Sequence, residues 1–132
     1  MSRLTIFLAR LIGLFAVLLV IVFLLRGSAT VEMAVADAPV MLVYAIISLA
    51  LGLAMILGHN VWSGGVLPVV VTLSGWGTLA KGLVLLSITP EALKQIIERT
   101  HYGEHYIFYL LPALVLGLYL TWAGFTAPAA KA

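Results

Sequence analysis

The chain has 132 residues, of which 64% are hydrophobic and 9% charged, with mean hydropathy +1.20 and a formal net charge of +2. That composition lies far outside the range of soluble domains, and no polar stretch is long enough to bury a core of its own. No run of Lys or Arg forms a stripe that could follow phosphates, so nucleic acid is not an expected partner, and the lack of cysteine removes disulfides, thiolate metal sites and cysteine nucleophiles.

Four apolar runs follow one another: Leu4–Leu25, Pro39–Gly58, Val66–Ile88 and Tyr106–Phe125. A helix rises about 1.5 Å per residue and a bilayer core is about 30 Å thick, so each run is long enough to cross. The expected fold is all-α, a single integral membrane domain over residues 1–132 that forms a four-transmembrane-helix bundle in the lipid bilayer. Arg3 and Arg10 at the start of the first run, followed by Ala34-Val35-Ala36 or Ala36-Asp37-Ala38, resemble a cleavable leader. The apolar region of a leader spans about 7 to 15 residues, however, and this run is longer, so it is read as a span that stays.

After the first span stands Ser28-Ala29-Thr30-Val31-Glu32, and after the third Ser87-Ile88-Thr89-Pro90-Glu91. Leu49-Ala50-Leu51-Gly52-Leu53 in the second span echoes Leu114-Val115-Leu116-Gly117-Leu118 in the fourth. These matches predict two tandem helical hairpins pointing the same way, related by an axis along the membrane normal. Thr89 is suited to cap a helix, Pro90 needs no donor at its first position, and Glu91 complements its positive end. A short amphipathic helix is therefore expected over Pro90–Arg99, with Leu93, Ile96 and Ile97 on one side, lying at the membrane interface. Thr30–Asp37 would be its shorter counterpart.

Four spans leave both termini on one face. Arg3, Arg10 and Lys131 fall there, against Arg26, Lys94 and Arg99 opposite, with Lys81 near them. The first span usually dominates orientation, and its leading end is the more basic, so both termini are expected in the cytoplasm.

Within the spans, small and weakly polar residues gather in stripes: Ser48, Gly52, Met55 and His59 in the second, Ser74, Thr78 and Lys81 beside Gly75, Gly77 and Gly82 in the third, and Ala113, Gly117 and Gly124 in the fourth. Such stripes are expected to face protein, because lipid tails give helices no hydrophobic drive to associate. Thr72, Trp76, Leu79 and Leu83 would then point to lipid or to another subunit. Trp62 and Trp122 suit an interface, whereas Trp76 falls near mid-span.

Gly58-His59-Asn60-Val61-Trp62 and Val71-Thr72-Leu73-Ser74-Gly75-Trp76 through Lys81-Gly82 form the most polar stretch of the apolar region. This hairpin, a His-Asn-x-Trp turn and then a Val-Thr-x-x-Gly-Trp to Lys-Gly span, resembles small uncharacterised bacterial integral membrane proteins. The resemblance implies a four-span protein of the inner membrane and carries no activity with it.

Lys81 and Arg10 each sit about 10 Å inside a span. An intramembrane charge is a functional candidate by default, while a long basic side chain can also snorkel to the headgroups. For Arg10 snorkelling is the expectation. Lys81 either snorkels or faces the bundle with Ser74 and Thr78, and in the second case needs a carboxylate such as Glu32, Asp37 or Glu91, or a backbone carbonyl.

His101, Glu104 and His105 stand close together, with Tyr102 and Tyr106 beside them, and an interfacial anchor is expected there rather than a metal site. His59 lies a bilayer away from them. No carboxylate falls inside a span, and no Ser-His-Asp arrangement or phosphate loop can be assembled, so neither catalytic residues nor a cofactor or metal is expected. The candidate functional or packing residues are Lys81, Thr78, Ser74, His59, Asn60, Trp62 and Trp76. The expected role is a non-enzymatic accessory subunit, with a membrane-protein partner, or a homo-oligomer. An oligomeric transporter or channel for a small solute or ion is the alternative.

Overall fold

The computed structural model describes residues 1–128; Lys131, counted above on the terminus side, lies outside them. Six helices follow in order: α1 (Arg3–Arg26), α2 (Ala29–Ala36), α3 (Ala38–Gly58), α4 (Val66–Ser87), α5 (Pro90–Arg99) and α6 (Tyr102–Thr126). Helices α1, α3, α4 and α6 are each long and apolar enough to cross a membrane. The chain is thus a multi-pass membrane protein whose spans form an all-α four-helix bundle.

Local chemistry sets the helix ends. The Ser2 hydroxyl accepts from the Thr5 amide at 3.0 Å to start α1, and Gly27, at φ 77°, stops it by donating its N–H to the Phe23 carbonyl at 2.8 Å. Asp37 caps α3 through Val40 N at 3.1 Å. Thr89 caps α5 through Ala92 N at 3.2 Å, at the boundary read from the sequence. Leu93 and Ile97 on α5 are half-buried, whereas Ile96 is exposed along with the charged residues. Helix α6 starts at Tyr102, after His101 at φ 49°, but non-helical dihedrals at His105 kink it, so the unbroken fourth span starts at Tyr106, where its apolar run begins.

The spans associate in two antiparallel pairs, α3 along α4 and α1 along α6. Both pairings depend on glycine. A Cβ on Gly52 would come within 2.5 Å of Leu79 Cα, one on Gly82 within 2.6 Å of Leu49 N, and one on Gly13 within 2.5 Å of Thr121 N. Backbones approach that closely only where no side chain intervenes, which is how helices gain contact in lipid.

The pairing differs from the tandem hairpins expected above. Within a proposed unit the spans hardly meet: α1 and α3 stand apart and α4 touches α6 only briefly, while the extensive contacts join one unit to the other. Exchanging α1–α2–α3 for α4–α5–α6 nevertheless preserves the main pairings, although α1 touches α2 and α4 touches α6 more than their counterparts do. The α3/α4 contact becomes the α6/α1 contact, and the packing of α2 against α5 maps onto itself. The two halves marked by the sequence matches therefore interlock rather than forming two self-contained hairpins.

A cluster of Ala9, Leu67, Val71 and Leu120 joins the pairs. All of it lies in the half of the bundle nearest the N-terminus, while α2 meets α5 at the opposite end. No more than 22% of the most apolar window of any span is buried. Most of the apolar surface is therefore left for lipid or for another protein.

Candidate functional site

Of the four buried polar residues, Ser48 lies in the middle of α3 and the other three converge where α3 ends. His59, Thr5 and Thr72 are 3%, 2% and 1% exposed, and all of their buried polar atoms have partners. The Thr72 hydroxyl donates to the Val61 carbonyl at 2.9 Å and accepts from the Val61 amide at 3.0 Å. Its single proton being used, it faces His59 Nδ1 at 3.3 Å as an acceptor, so Nδ1 carries the hydrogen. Nε2 is then free to accept from Thr5 Oγ1 at 2.9 Å, and Thr5 in turn accepts from Ser2 Oγ at 2.7 Å. This tautomer is assigned from the bonding pattern.

The arrangement binds the α1/α6 pair to the α3/α4 pair through one imidazole. Asn60 and Trp62, the neighbours of His59 in the turn, stay outside the network. Both are exposed, and Trp62 Nε1 donates to Asn60 Oδ1 at 2.7 Å.

Sequence reading singled out His59 but not Ser2 or Thr5, and it turned Thr72 toward lipid. The buried side of α4 is set by Thr72, Gly75 and Gly82, with Leu79 half-buried beside Gly52. A helix turns about 100° per residue, so Lys81, next to Gly82, is carried out of that interface. Trp76 and Leu83 do point outward, as expected. The signals were present: Thr72, Gly75, Leu79 and Gly82 recur at helical spacing, as do Thr5, Ala9 and Gly13 on α1.

Lys81 is exposed and meets no carboxylate among the described residues. Its ammonium donates to the Tyr44 hydroxyl at 3.0 Å and lies 4.8 Å from the centre of the Tyr44 ring, on α3. Ser74 and Thr78 do not join it. Each hydroxyl bonds back to its own helix, to the Val70 and Ser74 carbonyls at 2.8 Å.

Arg10 is anchored near the end of α6. Its Nε donates to the Gly124 carbonyl at 2.8 Å and its guanidinium lies 4.7 Å from the Phe125 ring centre. Residue 128, whose amide would otherwise close the next helical bond to that carbonyl, is a proline. The arginine thus supplies the donor that the chain lacks.

At the far end of the bundle, Glu32 from α2, Lys94 and Glu98 from α5, and His101, Tyr102 and Glu104 border an open cleft of about 290 Å³. Lys94 pairs with Glu98 and His101 approaches Glu104, each at 3.9 Å with both partners exposed, so these pairs add little stability. No three His, Asp or Glu side chains among the described residues converge as a metal site. Tyr102 and Tyr109 rings lie 5.2 Å apart beside this region.

No protein-family profile, curated protein or solved structure matches the chain. Fold and site together define a class, the small four-span helical membrane proteins.

Proposed function

We propose that the chain is a non-enzymatic accessory subunit of a larger assembly in the bacterial inner membrane, with both termini in the cytoplasm. One observation carries this reading: the polar groups that could have lined an interior path are spent on holding the bundle together. His59, Thr5 and Thr72 bond one another, Ser74 and Thr78 bond their own helix, and Arg10 bonds a helix end. The one span residue with a charge to offer, Lys81, turns outward. Such a protomer acts through its surfaces.

The bacterial setting rests on the resemblance of the His59–Trp62 turn and the Val71–Gly82 span described above. The interlocked repeat favours a second reading, transport by a homo-oligomer, since repeats related by an axis along the membrane normal recur in transporters. Purification in mild detergent from native membranes, followed by mass measurement of the intact complex, separates the two. A stoichiometric second protein is the expected result; a closed ring of this chain alone would replace the accessory reading with the transport one.

A further inference from the structure

We propose that the turn between α3 and α4 is a hinge at which two copies of this chain exchange halves, so that α1–α3 of one copy hold α4–α6 of the other. The inference does not depend on the accessory-subunit reading. Its partner is a second copy of the same chain.

The chain divides at one place. Each extensive contact, α3 with α4, α1 with α6 and α2 with α5, joins a helix before the turn to a helix after it. Inside either half the contacts are slight. A single covalent connection, residues 59–65, runs between the halves. Opening it therefore breaks no packing that a second copy does not restore, which makes exchange of identical elements a low-cost route to a dimer.

The packed surfaces select their occupant by shape. A Cβ on Gly52 or Gly82 would collide with the backbone of the opposite helix, so each half accepts only a helix with the matching profile at the matching height. A second copy presents that profile residue for residue. The polar groups obey the same rule. Ser2, Thr5, His59 and Val61 precede the hinge and Thr72 follows it, so in an exchanged pair Thr72 of the partner subunit completes the buried network.

Residues 62–65 are built to open. All are exposed, and Gly64 and Gly65 adopt φ 88° and 119° with open space where a Cβ would stand. Extended, four residues reach about 13 Å, enough to pass to a neighbouring helix at the usual spacing of about 8 to 10 Å. What favours a chain's own half is only the turn itself, which keeps the two halves at high effective concentration.

The lack of cysteine makes the test direct. A Cβ on Gly75 would lie 3.0 Å from Met55 Cβ, and one on Gly124 would lie 3.3 Å from Ala9 Cβ, so each pair is close enough for a disulfide after slight relaxation. Met55→Cys and Gly75→Cys are placed on separate full-length copies, expressed in one membrane and oxidised. A closed monomer holds a single thiol and stays unlinked, whereas an exchanged pair brings two thiols together inside a bundle. Side-by-side association does not, because Gly75 is buried. A linked dimer of the two copies is expected, with none from either copy alone. Gly64→Val with Gly65→Val in both copies should raise the linked fraction on the order of tenfold, since branched residues disfavour the tight turn and not an extended link. Ala9→Cys and Gly124→Cys repeat the measurement across α1 and α6. Each pair is also placed in one chain, where it should close internally, and the pair that closes there decides. Internal closure without a linked dimer from mixed copies, even with the valine hinge, overturns the proposal and leaves the accessory reading as it stands.

Discussion

Thr5 Oγ1 and His59 Nε2, from residues 54 positions apart, lie 2.9 Å from each other and join the first span to the end of the second. Because α1 and α3 hardly pack together, this bond and the Thr72 contact on its other side do what apolar packing does elsewhere in the bundle. Removing the Thr5 hydroxyl leaves a buried imidazole nitrogen without a donor. Thr5→Val should therefore cost about 1 to 3 kcal/mol. Thermal unfolding in detergent checks it, and an unchanged midpoint for both Thr5→Val and Thr72→Val would show that the network contributes nothing.

Gly52 and Gly13 sit where a methyl group would meet the backbones of Leu79 and Thr121, while a Cβ on Gly77 would meet nothing within 4 Å. Gly52→Ala and Gly13→Ala should each separate a helix pair, at about 1 to 3 kcal/mol for overpacking. Gly77→Ala should be neutral, or stabilising by up to about 1 kcal/mol from reduced chain freedom. Equal stability of all three variants would sink the close-approach argument.

Arg10 and Pro128 form a linked pair in a different sense. Arg10→Met should destabilise the α1/α6 pair by about 1.5 to 3 kcal/mol, the range for a bond to a charged group. Pro128→Ala gives the chain an amide that can reach the Gly124 carbonyl, so it should recover part of that loss in the Arg10→Met background and do little alone. A double variant no more stable than Arg10→Met would show that the carbonyl is not what Arg10 serves.

Orientation rests on Arg3 and Arg10. Single cysteines at Ser63, in the turn before α4, and at Gln95, on exposed α5, should react from opposite sides of intact cells, with Gln95→Cys modified by an impermeant reagent from outside. Outside labelling of Ser63→Cys reverses the topology.

The four spans and the Pro90–Arg99 helix were legible because length, hydropathy and the Thr89-Pro90-Glu91 cap are local signals. Helix pairing was not. The matches at Glu32 and Glu91 mark equivalent places in two units, yet sequence does not say whether a unit closes on itself or on its copy. Among site residues, His59 stood out as a histidine on a small-residue stripe, but its partners are hydroxyls, which any span tolerates because they can bond their own helix. Lys81 was read one residue off the packed face: a stripe of Ser74, Thr78 and Lys81 and one of Gly75, Leu79 and Gly82 differ by about 100°, and only the smallest groups could decide between them.

The packing of α1 along α6 also has a temporal side. Translation proceeds at about 5 to 20 residues per second, so roughly five to twenty seconds separate the first span from the last. Once α4 has been made, α3 and α4 can close on each other, while throughout the interval the groove at Gly13 faces lipid or whatever insertion factor shields it. A chain halted before α6 would therefore hold one finished hairpin and one orphaned span, and the orphan, not the hairpin, is what a membrane protease would find first.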